Sequence, residues 1–238
     1  MTNTKPTLNV DAGEGDAKST RDLALLPHID AINIALGAHA GDPAWSRELA
    51  DRALAMNKTV FLHPGYPDRP NFGRVEMNLP WQQLSESLSQ QRDVLPNITG
   101  CKFHGAIYNR STVDCDFADH LVAWCQTASI DTVVAPGDSC MADAAAQAGI
   151  TVVREAFIDR RYVLRDGRLA LASRNEEGAV IASRGEALAQ VLRIMRGGVV
   201  VLADATEYPI TCDTICLHGD HEGAVELAKM VREWISRL

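Results

Sequence analysis

The chain has 238 residues with a formal net charge of −8, 46% of them apolar and 23% charged. That length buries a sizeable core and fits one barrel or two small domains. The acidic balance argues against a nucleic-acid surface, which needs a basic face. No apolar run approaches the ~20 residues that span a bilayer. The opening MTNTKPTLNV lacks the apolar stretch of a secretory signal, so a cytoplasmic location is expected.

In chain order, short β-branched runs alternate with amphipathic segments. Thr7–Val10 and Ala31–Leu36 read as strands. Asp42-Pro43 then sets an N-cap acceptor and an N1 proline ahead of Leu49, Ala53 and Met56. Thr59–Leu62 is the next strand, and Pro80 opens a helix with Trp81, Leu84, Leu88 and Leu95 on one side. Gly100–Phe103 follows as a strand, and Asp116 precedes a helix carrying Phe117, Leu121 and Trp124. Asp131–Ala135 and Ile150–Arg154 read as further strands. Tyr162–Ala170 centres on Asp166-Gly167, a hairpin signal, and is expected to leave the main sheet over about residues 161–171. Ser183-Arg184-Gly185-Glu186 reads as a capping box. Val199–Ala203 and Thr214–Leu217 complete the strands, and Asp220 precedes a closing helix with Leu227, Val231 and Trp234.

No linker, repeat or low-complexity stretch divides residues 1–238, so one domain is expected. Repeated β–α alternation with continuous apolar strands implies a parallel sheet, open or closed. None of the six cysteines forms a C-x-x-C pair, which removes zinc-ribbon and thioredoxin readings. They are expected to be reduced and mostly small core residues.

The polar residues favour closure. The apolar runs end at Asp11 to Glu14, at His39 to Asp42, at His63 to Asp68, at Lys102 to Gly105 with Tyr108 and Asn109, at Glu155, at Asp204, and at His218 to Asp220. A barrel brings all strand C-termini to one mouth, whereas an open sheet spreads them along an edge. His39, His63, His104 and His218 share this context, each within two residues of glycine or proline at a strand end; His28, His120 and His221 do not share the strand-end context. Histidine and carboxylate serve as general acid and base near neutral pH and also bind divalent metals. No compact motif such as H-E-x-x-H is present, so a metal would take ligands from separate strands, such as Asp11, His39 and His63. A phosphate loop at Gly13–Ser19 is rejected: the pattern needs glycine where Ala17 and Ala12 stand.

At these clusters the sequence resembles the LamB/YcsF family. The blocks that carry the resemblance are Leu8–Asp11 with Gly13-Glu14, Asn33–Ala35 through His39–Pro43, His63–Asp68 with Asn71–Arg74, Lys102–Asn109, Glu155–Tyr162, Gly178–Ile181 and Ile215–Asp220. The segment Gly15–Asp30 is shorter than is usual in such families, and Leu36, Ala38 and Phe103 stand where other residues are usual. The resemblance implies an α/β fold, a distorted (β/α)7-type, TIM-like barrel related to polysaccharide deacetylases and glycoside hydrolases. It also implies a reaction, the opening of the lactam of 5-oxo-L-proline to L-glutamate coupled to ATP hydrolysis. ATP is then a co-substrate, which a partner can bind, and 5-oxoprolinase subunits B and C are the implied partners. Self-association into a homo-oligomer stays open.

For such chemistry the expected catalytic set is Asp11, Glu14, His63, His104 and Lys102. Asp11 and His63 would activate water, His104 would serve as acid or oxyanion donor, and Lys102 would hold phosphate. Arg74 suits a substrate carboxylate. His39, Tyr66, Tyr108, Asn109, Asp159, Arg160, His218 and Asp220 complete the expected substrate-binding set, with an ion pair anchoring the hairpin as the competing reading of Asp159, Arg160 and Arg161. Besides ATP-dependent lactam hydrolysis, two readings stay open: a stand-alone metal-dependent hydrolase or deacetylase, and a non-catalytic regulatory subunit.

Overall fold

The computed structural model describes residues 5–15, 19–174, 176–181, 183–219 and 223–237. The elements run β1 (Thr7–Ala12), α1 (Thr20–Leu25), a 3-10 turn (Leu26–His28), β2 (Ala31–Ala35), α2 (Pro43–Ala55), β3 (Thr59–His63), α3 (Trp81–Arg92), β4 (Gly100–Cys101), α4 (Gly105–Val113) and α5 (Cys115–Thr127). They continue with β5 (Thr132–Ala135), α6 (Cys140–Gln147), β6 (Thr151–Phe157), β7 (Tyr162–Arg165), β8 (Arg168–Leu171), α7 (Arg184–Gly197), β9 (Val199–Val201), β10 (Glu207–Pro209), β11 (Thr214–His218) and α8 (Ala224–Arg237).

Seven parallel strands close into a barrel in the order β1-β11-β6-β5-β4-β3-β2. Closure is made by the first and last barrel strands, with Asp11 opposite His218 and Asn9 opposite Cys216. On the other side of β1, Asp11 faces Asn33 of β2. Residues two apart on a strand share a face, so these registers aim Asn9, Asp11, Asn33, Cys216 and His218 into one interior. Apolar neighbours such as Leu8, Val10, Ile32, Ile34, Ile215 and Leu217 point outward and are buried under the helices.

The helix starts follow their caps. Asp42 Oδ1 accepts from the Ala44 and Trp45 amides at 2.9 and 3.0 Å, with Pro43 opening α2. Ser183 accepts from the Glu186 amide at the start of α7. Two expected starts shift: Pro80 is itself the N-cap of α3, and Asp114 rather than Asp116 caps α5, accepting from Phe117. β7 and β8 form the expected hairpin, with Asp166 and Gly167 at φ of +50° and +78°. Two positive φ values in a two-residue turn match the strand twist.

Two expectations are corrected. Val199–Ala203 is no barrel strand: β9 pairs antiparallel with β10 outside the barrel. Only Val200 of β9 is fully buried, with Val199 and Val201 half-buried, the pattern of a one-sided ribbon. Asp204 is therefore exposed in the β9–β10 turn, away from the mouth. The cysteines are not all free: Cys115 and Cys140, at the N-termini of α5 and α6, form a disulfide with Cα atoms 4.8 Å apart. Their separation of 25 residues carries no spacing signal, because tertiary packing alone makes the two helix starts meet. Cys101, Cys125 and Cys216 are buried free thiols as expected. Among the described residues, no helix is long and apolar enough to cross a membrane.

Candidate active site

The barrel mouth opens into a cavity of about 730 Å³. Asp11, His63, Lys102, His104, Tyr108, Asn109, Arg74, Arg160 and His218 all line it, which unites most of the expected site. Glu14, His39, Tyr66 and Asp159 lie behind that lining rather than in it. Tyr66 is fully buried in the core, where its hydroxyl faces the Arg110 guanidinium. Asp220 lies outside the described residues.

Lys102 is the internal cation of the mouth. Its ammonium sits 2.7 Å from Asp11 Oδ1, 2.9 Å from Glu155 Oε1 and 3.1 Å from Cys216 Sγ. Three acceptors match its three protons, so the expected role of holding phosphate does not fit. Burial disfavours its charge, but Asp11, Cys216 and Glu155 outweigh burial and raise its pKa well above the usual lysine value. Burial likewise pushes the Asp11 carboxyl up, and Lys102, His63 and His218 overrule it, holding Asp11 well below the usual range. Asn33 also donates to Asp11 Oδ1 at 2.8 Å, and Tyr108 donates to Glu155 Oε2 at 2.9 Å. Oδ2 of Asp11 is thereby left to face His63 Nε2 at 3.5 Å and His218 Nε2 at 3.9 Å.

His218 has an orienting partner. Its Nδ1 lies 2.8 and 3.0 Å from the two Asp159 oxygens. A carboxylate only accepts, so Nδ1 carries the proton and Nε2 is the basic atom. Burial pushes the Asp159 carboxyl up, but His218 and the arginines beyond it hold it below the ordinary value. The ion-pair reading of Asp159 as a hairpin anchor therefore gives way to a carboxylate–imidazole dyad.

A second cluster combines Glu14, His39, His63 and His104, each offering a ligand atom within 4.8 Å of the others. Backbone carbonyls fix two tautomers. His63 Nδ1 lies 2.7 Å from the Lys102 carbonyl, and His104 Nε2 lies 2.9 Å from the Phe72 carbonyl. Each of those nitrogens must donate. His63 Nε2 and His104 Nδ1 then face each other at 2.9 Å, with Glu14 Oε1 3.2 Å from the latter. Two neutral imidazoles so placed point lone pairs at one another, a repulsion that a shared proton or a bound cation relieves. His39 stacks on His104 with ring centroids 3.8 Å apart, and both its nitrogens are buried without a hydrogen-bond partner. Burial and the neighbouring His104 push its pKa down to about 4. The donor set, three imidazoles and one carboxylate, is that of a zinc-type site. Of the expected metal trio, His39 and His63 sit in this cluster with Glu14 and His104, while Asp11 pairs with Lys102 instead.

Glycines make room for this cluster. A Cβ on Gly65 would come within 2.8 Å of His39 Nδ1, and Gly73, at φ +62°, would meet His39 Cβ at 2.8 Å. Gln91 fixes the Gly65 segment, accepting from its amide at 3.0 Å and donating to its carbonyl at 2.9 Å. Asp22 similarly holds the Gly13 amide at 3.1 Å and the Trp45 indole at 3.2 Å.

Sequence reasoning missed Asn33, Glu155 as a partner of Lys102, Cys216, Gln91 and Asp22. A signal existed for Asn33, a solitary polar residue inside an apolar strand run, which in a barrel marks an inward position; Glu155 follows Arg154 on β6 and lacks that contrast. Gln91 and Asp22 sit on helices with no such contrast.

A closed parallel barrel whose mouth gathers imidazoles, carboxylates and a buried lysine defines a barrel enzyme of acid–base type. The chain belongs to the LamB/YcsF family, whose model matches residues 7–238. It is 35% identical over 236 residues to the 5-oxoprolinase A-subunit of Bacillus cereus, covering 94% of this chain and 92% of that protein. The counterpart from Bacillus anthracis is 34% identical over the same spans. The crystal structure of a lactam utilization protein from Thermus thermophilus matches with a TM-score of 0.85 at 31% identity, covering 98% of this chain and 97% of that one.

Proposed function

We propose that this chain is the lactam-opening subunit of an ATP-dependent 5-oxoprolinase, acting in the cytoplasm with subunits B and C. It adds water across the ring amide of 5-oxo-L-proline to give L-glutamate. The relatives of that name support the substrate. The observation that carries the chemistry is the Asp159–His218 dyad, whose free Nε2 faces Asp11 across the cavity.

A water held between His218 Nε2 and Asp11 Oδ2 gives its proton to the imidazole as its oxygen attacks the amide carbon. The Asp159 carboxylate stabilises the imidazolium that forms, as the third member of a nucleophile–base–orienter set does. Collapse of the tetrahedral intermediate breaks the ring C–N bond, and the nitrogen leaves with the proton returned from His218. Lys102 keeps Asp11 ionised throughout. ATP is the co-substrate that drives an otherwise unreactive amide, and its use is assigned to the assembled complex.

Glu14, His39, His63 and His104 fit a divalent metal, because buried Glu14 Oε1 and both His39 nitrogens lack hydrogen-bond partners and the free nitrogens of His63 and His104 converge. A metal there would supply Lewis acidity toward the amide oxygen or a bound water. This cluster is also what favours the second reading, a metal-dependent hydrolase acting alone. Stoichiometric metal with ATP-independent turnover would select it.

The test is glutamate release from 5-oxo-L-proline and ATP by the complete complex carrying His218→Gln or Asp159→Asn. Each is expected to lose on the order of 10²–10⁴-fold in rate with its fold intact. Wild-type rates in both would sink the assignment. Glu14→Gln adds an independent readout, a fall in metal content measured by elemental analysis.

A further inference from the structure

One side of the cavity is lined by three arginines, Arg74, Arg160 and Arg174. Arg160 is buried, with 3% of its surface exposed, yet it lines the cavity and its Nε has no hydrogen-bond partner. Its Nη2 is fixed on the Ala172 carbonyl at 2.6 Å, so the guanidinium cannot turn away to find one. Its carbonyl is in turn held by Gln190 at 3.0 Å.

The neighbours make the situation less favourable, not more. Arg74 and Arg174 share the lining and repel Arg160. Burial, Arg174 and Arg74 together push its pKa down to about 10, against the pull of Asp159. Asp159 already gives both oxygens to His218. Among the described residues, no carboxylate lies within ion-pair distance of Arg160 or Arg174. Elsewhere in the lining, Lys102 is matched by Asp11 and Glu155, Arg110 by Glu76 and Asp114, and Arg165 by Glu176. A buried guanidinium with an idle donor beside two like charges is costly unless a ligand completes it.

We propose that Arg160, flanked by Arg74 and Arg174, is the socket for an oxyanion of the ligand, a carboxylate or phosphoryl group docked while the reacting amide lies at the histidine wall. A planar fork with Nε free accepts such a group in the side-on, two-point mode that an ammonium cannot offer. The assignment rests on the functional reading above for the amide, but the socket itself is a statement about anions alone.

Titration calorimetry on the full chain tests it without partner subunits or turnover. The probes are inorganic phosphate, 5-oxo-L-proline and 2-pyrrolidinone, the same lactam without its carboxylate. Wild type is expected to bind at least one oxyanion, and Arg160→Met to bind it about 10- to 100-fold more weakly, the loss expected of one charge-assisted pair. Affinity for 2-pyrrolidinone should stay unchanged. A loss confined to 5-oxo-L-proline assigns the socket to the substrate carboxylate, and a loss confined to phosphate assigns it to a phosphoryl group. Arg160→Lys keeps the charge without the fork and should recover only part of the affinity, which separates binding from folding if Arg160→Met lowers the melting temperature. Equal oxyanion affinity in wild type and both variants, or no oxyanion binding in wild type, overturns the proposal. Neither result touches lactam hydrolysis by the complex. Conversely, Arg160-dependent phosphate binding in a complex that releases no glutamate would overturn the functional reading and leave the socket standing.

Discussion

The two ends of the barrel handle charge in opposite ways. At the bottom, Arg154 grips Asp213 through Nε and Nη2 at 2.8 and 2.6 Å, and Arg232 places Nη1 2.7 and 2.6 Å from the two Asp30 oxygens. These pairs tie strand starts to the following loops and helix, and water reaches all four side chains. At the mouth, Lys102, Asp11, Glu155, His63 and His104 are buried and depend on one another. Exposed pairs add little and lose little when broken. A buried network contributes little net stability when whole, but removing one member strands the others. The bottom is therefore tolerant and the mouth brittle, and the brittleness comes with ionised groups held ready at the site.

That contrast can be broken at its strongest point by Lys102→Met. Removal of the central cation leaves Asp11 and Glu155 uncompensated. The expected cost is about 3–5 kcal/mol in denaturant unfolding, with loss of glutamate release. Wild-type stability in this variant would mean that the network is not interdependent. Asn33→Ala takes one hydrogen bond from Asp11 and leaves Asn9 Oδ1 without its 2.7 Å donor. Unfolding should register about 1–3 kcal/mol, and turnover should fall more than KM rises. The smallest effect belongs to the bottom. Arg154→Ala should cost no more than about 1 kcal/mol and leave turnover unchanged. Its signature is in the pH profile. Hydrogen bonds from Arg154 hold the Asp213 carboxyl below its ordinary value of 3.8. The stabilisation is complete above that value and is lost as pH falls through the depressed one. Arg154→Ala should flatten this acid-side slope in stability measured against pH, and an unchanged slope would place it elsewhere.

The same contrast governs how much could be read from the sequence. Closure of the barrel was legible because Asp11, His39, His63, Lys102 and His218 each follow an apolar run, and only a closed sheet brings so many strand ends together. The Asp166-Gly167 hairpin was legible because its turn needs two positive φ values that those residues tolerate. Val199–Val201 misled because three valines look alike whether one face or both are buried. Site membership was more legible than roles. His218 was read as a substrate contact because its orienting Asp159 lies on a different segment, and proximity between distant segments leaves no mark in spacing. Lys102 was read as free to meet phosphate because nothing local to it announces Glu155 or Cys216. The histidine cluster was half legible: His39 and His63 were expected together, and their rings lie 5.6 Å apart, while Glu14 and His104 met them only once the loops were folded.

Pairing of β1 with β11 has a consequence for the life of the protein in the cell. Asp11 is synthesised about 200 residues before His218, its neighbour across the seam. At ribosomal rates of roughly 5–20 residues per second, the interval between them is on the order of 10–40 s. Throughout it β1 has β2 on one side and an open edge on the other, and unpaired strand edges on nascent chains invite association with other chains. Asn9 and Asp11, polar residues that later serve the mouth, lie on the strand that carries this waiting edge and discourage such contacts. The groups that make the finished enzyme reactive also keep the unfinished chain apart from its neighbours.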